Sequence, residues 1–376
     1  MSLKKFFEVP PVRFAVAGVG NCASALLQGI WSYRSAGAES ILGIEYETIG
    51  GLRVGDLHCV AAFDIDSRKV GRPLEEAIFA EPNCVQRLVE TLPNTGVTVK
   101  MGDLQDGNAP HMERYPEHAS FRVAARPAVD LVEELRRSEV EVLVCYVPVG
   151  SELAARTYAE ACLAAGVAFV NCMPVFLASD PKFAERYRKA GLPMIGDDIK
   201  SQLGATIVHR SLMKLFHDRG CIIDRSYQLN VGGNTDFLNM LARERLDSKK
   251  QSKTNSVQSV LRQRMGADDL HVGPSDYVPW LRDNKVALIR IEGRGFCGAQ
   301  IEMDIRLSVQ DSPNSAGMVI DALRCAAIAK RRGIGGPLEE PSAYLMKSPP
   351  RQMDDWTAKK ALDKFLASFE ADQRSP

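Results

Sequence analysis

A regular alternation of apolar runs and amphipathic segments over the first 200 residues most constrains how this chain can fold. The apolar run VRFAVAG ends in Gly18, and the next segment, NCASALLQGIWSYR, spaces its apolar residues like a helix. Further apolar runs, HCVAAFDID, VEVLVCYVPV, VAFVNCMPV and LPMIGDD, alternate with helical patterns such as SELAARTYAEACLAAG. Strands that alternate with helices build a parallel, doubly wound sheet. The sequence therefore predicts an α/β, Rossmann-like domain over residues 1–200.

A different pattern begins after residue 200. A predicted helix, GATIVHRSLMKLFHDRG, leads to the predicted strands CIIDRSYQLNVGG, KVALIRIEG and AQIEMDIRLSVQD, the last of which alternates apolar and polar residues. Such alternation is typical of an antiparallel sheet with one covered face. We therefore expect a second, α+β unit at 201–309, and a C-terminal segment, 310–376, that packs back on the first domain.

Charge and cysteine usage exclude several classes of protein. The 376 residues contain 47 Lys and Arg and 47 Asp and Glu, so the formal net charge is +0. No global field then favours nucleic acid or an acidic membrane, and an anion must be bound by a local site. No segment reaches the ~18 continuous apolar residues of a membrane span. The nine cysteines form no CxxC pair, and we expect reduced thiols in a cytoplasmic protein.

The segment GVGNCAS predicts a dinucleotide-binding turn. It places Gly18, Gly20 and Ala23 in a GxGxxA pattern between a predicted strand and a predicted helix. The first glycine permits the tight turn, the second lets the backbone approach a pyrophosphate, and Ala23 allows close packing of helix and strand. The helix N-terminus adds free N–H groups for the phosphates. A purely structural glycine turn is the alternative.

The acid that ends the next predicted strand is a candidate ligand for a ribose diol. A carboxylate at this point favours NAD over NADP, because it repels a 2′-phosphate. Asp64 lies 46 residues after Gly18, whereas the usual spacing is ~20. The chain must therefore make an excursion, over about 36–56, between helix and strand. A structural turn at Asp64, or a ribose contact from Asp66 instead, remains open.

Two polar segments are candidates for anion binding. GDDIKSQLGAT, residues 196–206, follows a strand end and opens a helix whose first N–H groups are free donors; an ordinary helix cap made by Asp198 or Ser201 is the alternative. DSKKQSKT, residues 247–254, carries three lysines. If it is helical, Lys249 and Lys253 share one face at i and i+4. A solvated charge run is the alternative there.

Seven segments together carry a resemblance to one family: GVGNCAS, AAFDID, GDDIKSQLGAT, LNVGGNTDFLNM, SKKQSKT, DSPNSAG and YLMKSPP. Over nearly its whole length the chain closely resembles the myo-inositol-1-phosphate synthases of the bacterial and archaeal type. The resemblance implies a Rossmann-like domain with a central inserted α+β domain for catalysis and tetramerisation. It implies a cytoplasmic isomerase that converts D-glucose 6-phosphate to 1D-myo-inositol 3-phosphate and recycles NAD in each turnover. That reaction is the first step of inositol and inositol-phospholipid biosynthesis.

The resemblance also assigns roles to residues. Catalysis falls to four lysines: Lys249, Lys253, Lys285 and Lys347. Cofactor binding falls to the turn, the strand-end acid and three further residues: Gly18, Val19, Gly20, Asn21, Asp64, Tyr146, Asp198 and Asp311. Substrate binding falls to the phosphate segment and the polar pair after the second glycine pair: Ser201, Gly204, Ala205, Thr206, Asn234 and Asp236. Family members differ in using a divalent metal or a monovalent cation such as ammonium or potassium, so the metal stays unknown.

The chemistry implied by the resemblance explains the lysines. Oxidation at C5 acidifies the C6 protons, and the resulting enolate attacks the C1 aldehyde before the ring ketone is reduced. Negative charge thus develops at O5 and then at O1, where preorganised cations stabilise it. We expect Lys285 and Lys347 to serve O5, Lys249 to serve O1, and Lys253 to hold the phosphate. An NAD-dependent sugar-phosphate or inositol dehydrogenase on the same fold, or a non-catalytic NAD-binding relative, is the alternative.

Overall fold

The computed structural model describes residues 9–36, 42–242, 245–273 and 276–371. The strands of these ranges are β1 (Val12–Ala17), β2 (Leu57–Asp64), β3 (Lys100–Met101), β4 (Val142–Cys145), β5 (Ala168–Asn171), β6 (Pro193–Ile195), β7 (Ile222–Gly232), β8 (Leu270–Val272), β9 (Asp276–Tyr277), β10 (Asn284–Arg294), β11 (Gln300–Gln310) and β12 (Gly336–Pro337). The helices are α1 (Asn21–Ala36), α2 (Leu74–Ala77), α3 (Leu131–Arg137), α4 (Glu152–Ala165), α5 (Pro181–Lys189), α6 (Ala205–Asp218), α7 (Thr235–Asn239), α8 (Asp247–Gln258), α9 (Asp311–Arg331), α10 (Glu339–Leu345) and α11 (Asp355–Ala371).

Seven strands of the described ranges form a parallel sheet in the order β12-β6-β5-β4-β1-β2-β3. The chain builds outward from β1 in one direction and then, from β4, in the other. The carboxyl ends of β1 and β4 therefore flank the point where the strand order reverses, which is where open α/β sheets bind ligands. The predicted doubly wound, Rossmann-like sheet is confirmed.

Helices cover both faces of this sheet because its strands are apolar on both sides. One face packs against α1 and α9, and the other against α3, α4 and α5. Helix α9 is buried along most of its length, including Val319, Leu323 and Ala327. A single long helix that follows the second sheet in the sequence therefore completes the core of the first. Among the described helices none is both long and apolar enough to cross a membrane.

The second sheet has the order β11-β10-β7-β8, with β9 beside β7, and β10 is antiparallel to both β7 and β11. Its inner face packs on α6 and α8 around Met213, Val257 and Ile289. The outer face leaves Tyr227 and Leu229 substantially exposed. The antiparallel pairing that the alternating pattern predicts is confirmed for the three long strands β7, β10 and β11, whereas the short strands β8 and β9 run parallel to β7.

The predicted excursion between α1 and β2 is anchored to the C-terminal part of the chain. The fully buried guanidinium of Arg324 in α9 donates hydrogen bonds to the carbonyl oxygens of Tyr46, Glu47 and Leu52. Leu52 is itself buried in the core that α9 shares with the parallel sheet. Residues 37–41 of the excursion lie outside the described residues. The described part is thus a packed extension of the core.

Candidate active site

One pocket opens at the reversal point of the parallel sheet and extends to the inner face of the second sheet. It brings together most of the residues that the sequence singles out: Gly18, Gly20, Asn21, Asp64, Tyr146, Asp198, Ser201, Gly204, Ala205, Thr206, Asn234, Asp236, Lys249, Lys253, Lys285, Asp311 and Lys347. Val19 alone of the predicted site residues lies behind the wall, where its peptide group shapes the glycine turn.

All nine cysteines are free, as expected.

The glycine turn after β1 is held by hydrogen bonds to both backbone polar groups of one residue, Val19. Gly18 has φ +95°, and a Cβ there would stand 2.6 Å from the carbonyl oxygen of Tyr146, so the position requires glycine. The N–H of Val19 donates to Asp64 Oδ2 at 2.7 Å. Its carbonyl oxygen accepts from Lys69 Nζ at 2.9 Å and from Asn83 Nδ2 at 3.0 Å. The next backbone groups are therefore preorganised at the start of α1.

The strand-end acids separate into one that faces the pocket and one that does not. Asp64 lines the pocket, and its Oδ1 also accepts the N–H groups of Ile65 and Asp66. Asp66 is fully buried and pairs with Arg68 at 2.6 Å. Of the two acids, Asp64 alone lines the pocket, and its bonds to three backbone N–H groups also fit the structural turn that the sequence left open.

Two features show that the pocket fits a dinucleotide. A Cβ built on Gly20 would meet nothing within 4 Å, so a pyrophosphate can approach the backbone there. The hydroxyl of Tyr146 is buried and has no hydrogen-bond partner within the described part of the chain. Burial, with Cys172 and Cys22 nearby, raises the pKa of Tyr146 well above its usual range. A neutral hydroxyl donor without a partner is a group that a bound ligand would satisfy.

Three of the four predicted lysines form ion pairs inside the pocket, each with a different carboxylate. Lys249 Nζ lies 3.0 Å from Asp236 Oδ2, Lys285 Nζ lies 2.5 Å from Asp311 Oδ1, and Lys347 Nζ lies 2.8 Å from Asp198 Oδ1. Burial opposes the charge of Lys249, but Asp236, Asp198 and Asp311 outweigh it and raise its pKa. These pairs give the pocket fixed positive groups with defined positions.

Lys253 differs from the other three because no ion pair or hydrogen bond joins its ammonium group to any described residue. It lies one turn beyond Lys249 on α8 and faces the same pocket, as the i, i+4 spacing predicts. Burial and the charges of Lys249, Lys285 and Lys347 lower the pKa of Lys253 to about 7. It is therefore a lysine whose charge responds to what enters the pocket.

Asp198 is held in place from several sides. Its backbone has φ +63°, an unusual conformation for a residue with a side chain. Its Oδ2 accepts the hydroxyl of Ser252 at 2.7 Å, and Ser252 in turn accepts the hydroxyl of Ser348 at 2.8 Å. Burial would raise the pKa of Asp198, but Lys347 and Lys249 outweigh it and lower the pKa. Asp311 behaves in the same way, with Lys285 as its main opposing charge.

The segment before α6 presents an uncapped helix N-terminus to the pocket. Helix α6 begins at Ala205, and its N-cap Gly204 makes no side-chain cap hydrogen bond. The capping alternative for Asp198 or Ser201 is therefore wrong, because the carboxylate of Asp198 is taken by Lys347 and Ser252. Free N–H groups at a helix N-terminus bind anions well. Ser201 and Thr206 add hydroxyl groups to the same wall.

The polar pair after β7 is positioned by a buried acid that the sequence reasoning missed. Asn234 caps α7 through its Oδ1 and donates from Nδ2 to Asp283 Oδ1 at 3.0 Å. Asp283 also accepts the N–H and the hydroxyl of Ser312. Burial, and then the nearby charge of Asp311, raises the pKa of Asp283 to about 6. Only its position directly before Asn284 and Lys285 could have hinted at this role.

Lys200, within the segment GDDIKSQLGAT, has a structural role that the sequence did not predict. Its buried ammonium group donates to Asp355 Oδ1 at 3.0 Å and to the carbonyl oxygen of Ala343 at 2.9 Å. Burial, opposed by Asp355, lowers the pKa of Lys200 to about 8. The guanidinium of Arg210 lies beside the same carboxylate. The local sequence holds no signal for this network, because its acid comes from α11.

The histidines and the acids make no metal centre in the described ranges. No group of three or more His, Cys, Asp or Glu side chains there could hold a metal ion. His209 is buried, and its ring nitrogens lie 2.8 Å from Ser226 Oγ and 3.3 Å from Gln228 Oε1. Burial lowers the pKa of His209 to about 4. It is a satisfied core residue.

Comparisons with known proteins point to one family. Residues 204–312 match the family model of myo-inositol-1-phosphate synthase. The inositol-3-phosphate synthase of Mycolicibacterium smegmatis is 50% identical over 360 residues, covering 94% of this chain and 98% of that protein. The inositol-3-phosphate synthase of Corynebacterium glutamicum is 48% identical over 361 residues, with coverage of 94% and 98%. The solved structure of Ari2 has a TM-score of 0.75 at 41% identity and covers 95% of this chain and 99% of that one.

Proposed function

The chain belongs to the myo-inositol-1-phosphate synthase family, and we propose how its own residues perform the family's reaction. The activity is that of an inositol-3-phosphate synthase, an isomerase of inositol biosynthesis with an NAD-binding Rossmann-like fold. We propose D-glucose 6-phosphate as the substrate and 1D-myo-inositol 3-phosphate as the product. The observation that carries the proposal is the convergence of four lysines and a dinucleotide turn on one pocket.

Cofactor binding is assigned to the wall at the end of β1 and β4. Gly18, Gly20 and Asn21 would hold the pyrophosphate, and Asp64 the adenosine ribose, while Tyr146, Asp198 and Asp311 would lie toward the nicotinamide. The bound NAD supplies a hydride acceptor for C5 and returns the hydride at the end of the cycle. The preorganised Val19 peptide supports this assignment, since it fixes the turn before any ligand arrives.

Different lysines stabilise the negative charges that develop on different oxygen atoms of the substrate. Lys285 and Lys347 serve O5. When C5 is oxidised, the O5 proton passes to Lys347, which gives one of its own protons to Asp198 Oδ1, and the transfer reverses on reduction. Lys249 stabilises the O1 oxyanion when C6 attacks C1. Fixed cations in a water-poor pocket stabilise developing oxyanions without reorganisation at the moment of reaction. A carboxylate partner favours the charged form of an amine, so the three ion pairs support a role for these lysines as fixed cations.

Lys253 holds the substrate phosphate together with the N-terminus of α6, where Ser201, Gly204, Ala205 and Thr206 line the wall. A phosphate dianion supplies the counter-charge that Lys253 lacks within the described chain, and this favours its protonated form. We propose the substrate's own phosphate as the group that removes the C6 proton, since it is carried on C6. Asn234 and Asp236 complete the sugar site through the contacts of Asp236 with Lys249.

For the proposed homotetramer, the outer face of the second sheet supplies one of the interfaces. Tyr227 and Leu229 on β7 and Leu288 on β10 are 37%, 39% and 42% exposed, and Leu229 pairs directly with Leu288 in the register. Phe296, at the hairpin between β10 and β11, is 91% exposed. An apolar strip on an otherwise charged sheet fits the same strip of a second copy. A molar mass in solution equal to that of one chain would disprove this assembly.

The reaction is tested by following product and cofactor together. The purified protein with glucose 6-phosphate and catalytic NAD should yield an inositol phosphate, identified by phosphorus NMR, with no net change in NADH absorbance. The dehydrogenase alternative requires NADH to accumulate in step with substrate consumed. A protein that binds NAD but yields no inositol phosphate, with or without divalent metal or ammonium, would instead be the non-catalytic relative.

A further inference from the structure

We propose that Asn314, in the first turn of α9, is a positioning residue for the substrate-phosphate site. The inference rests on the proposed phosphate role of the α6 N-terminus. Asn314 does not line the pocket. It acts through Gln202 and Leu203, the two residues between Ser201 and Gly204, which are themselves outside the pocket wall. These two residues are called the phosphate-loop bridge below.

Asn314 fixes the bridge by three hydrogen bonds. Its side-chain Oδ1 accepts the N–H of Leu203 at 3.0 Å, and its Nδ2 donates to the carbonyl oxygen of Leu203 at 2.8 Å. Its backbone carbonyl oxygen accepts the N–H of Gln202 at 2.8 Å. One side chain therefore satisfies both polar groups of a residue that is otherwise exposed. A two-sided amide contact fixes the orientation of the backbone as well as its distance.

A glycine one turn later admits a third segment to this junction. The amide of Gln202 donates to the carbonyl oxygen of Gly43 in the excursion at 2.5 Å. A Cβ on Gly317 would stand 2.9 Å from Gln202 Nε2 and 3.0 Å from that same carbonyl oxygen. Glycine inside a helix costs ~1 kcal/mol relative to alanine. The close approach explains why α9 carries one here, and it gives the excursion a task at the active site.

The placement links two parts of the site. Asp311, the ion-pair partner of Lys285, begins the same helical turn that carries Asn314. The first turn of α9 thus fixes the position of the phosphate-loop bridge relative to the Lys285–Asp311 ion pair. Since the phosphate is carried on C6, next to the reacting C5, and is proposed to remove the C6 proton, loosening the bridge both weakens substrate binding and slows the chemistry.

The test compares three variants by steady-state kinetics with glucose 6-phosphate. Asn314→Ala should raise KM about tenfold, or ~1.4 kcal/mol, and lower kcat as well, with NADH affinity unchanged. Gly317→Ala should also raise KM, because its Cβ displaces Gln202, while the helix propensity of alanine offsets part of the cost of that contact to the melting temperature. A helix-stability role alone predicts no KM change in Gly317→Ala. Asn94→Ala, in an exposed turn, is the matched control.

Thr206→Ala separates failure of this inference from failure of the phosphate assignment. If Thr206→Ala raises KM while Asn314→Ala and Gly317→Ala leave it unchanged, the positioning role is wrong and the phosphate site stands. If all three leave KM unchanged, the phosphate lies elsewhere and both ideas fall. Should Asn314→Ala not fold, the KM and melting temperature of Gly317→Ala decide.

Discussion

Replacing Lys253 by methionine should abolish a proton uptake that accompanies binding of the sugar phosphate at pH 8. The free protein holds this lysine at a pKa of about 7, so at pH 8 only about one tenth of the molecules carry its proton. A unit charge at ~4 Å and an effective dielectric constant of 20 is worth about 4 kcal/mol, or roughly three pKa units. A bound phosphate therefore returns the pKa of Lys253 to about 10, and binding takes up close to one proton per site.

The uptake is measured by isothermal titration calorimetry in two buffers of different ionisation enthalpy. Glucose 6-phosphate is added in the presence of NADH, which cannot oxidise it. The phosphate is already a dianion at pH 8, so the group that takes up the proton from the buffer belongs to the protein. Wild type and Lys250→Met, whose lysine is the exposed neighbour on α8, should take up about 0.9 proton, and Lys253→Met none. No uptake by wild type, or the same uptake by Lys253→Met, would refute the reasoning.

Four further outcomes follow from the structure. Lys347→Ala should abolish inositol phosphate formation and leave NADH binding, followed by fluorescence, unchanged; turnover near wild type would remove the O5 role. Asp64→Ala should weaken NADH binding at least tenfold, through loss of the ribose contact and of the Val19 bond. Leu229→Glu should reduce the mass measured by light scattering, as it puts a charge into the apolar strip. Arg210→Ala should lower the free energy of unfolding by about 3 kcal/mol in urea melts, whereas Lys214→Ala on the exposed side of α6 should change it by less than about 0.5 kcal/mol.

Local patterns were enough to predict the scaffold of the site. Strand and helix periods predicted the doubly wound sheet, and the glycine turn predicted where its ligand would bind. The helical spacing of Lys249 and Lys253 predicted that they share a face. Each of these predictions depends on residues within one or two elements, where spacing and geometry are directly linked.

The pairing of charges could not be predicted in the same way. Lys347 pairs with Asp198, which lies 149 positions away in the sequence, and Lys285 on β10 pairs with Asp311 at the start of α9. Which carboxylate faces which lysine is decided by how two sheets pack, and no local period encodes that. The resemblance gathered the four lysines at one substrate, yet it did not single out Lys253 as the one without a partner. That distinction depends on whether a described acid lies within ion-pair distance of Lys253, which only the packed structure reveals.

The burial of α9 against the parallel sheet affects how the chain is synthesised. Strands β1 to β6 have all been made when the ribosome reaches Ile195, but the helix that covers one face of their sheet ends at Arg331. At ~5–20 residues per second, the part of that face under α9 stays open for roughly 7 to 27 seconds of translation. The nascent chain must be shielded over this interval, by a chaperone or by transient contacts of its own. A fragment that stops at residue 200 should accordingly be recovered in inclusion bodies, however complete its strands.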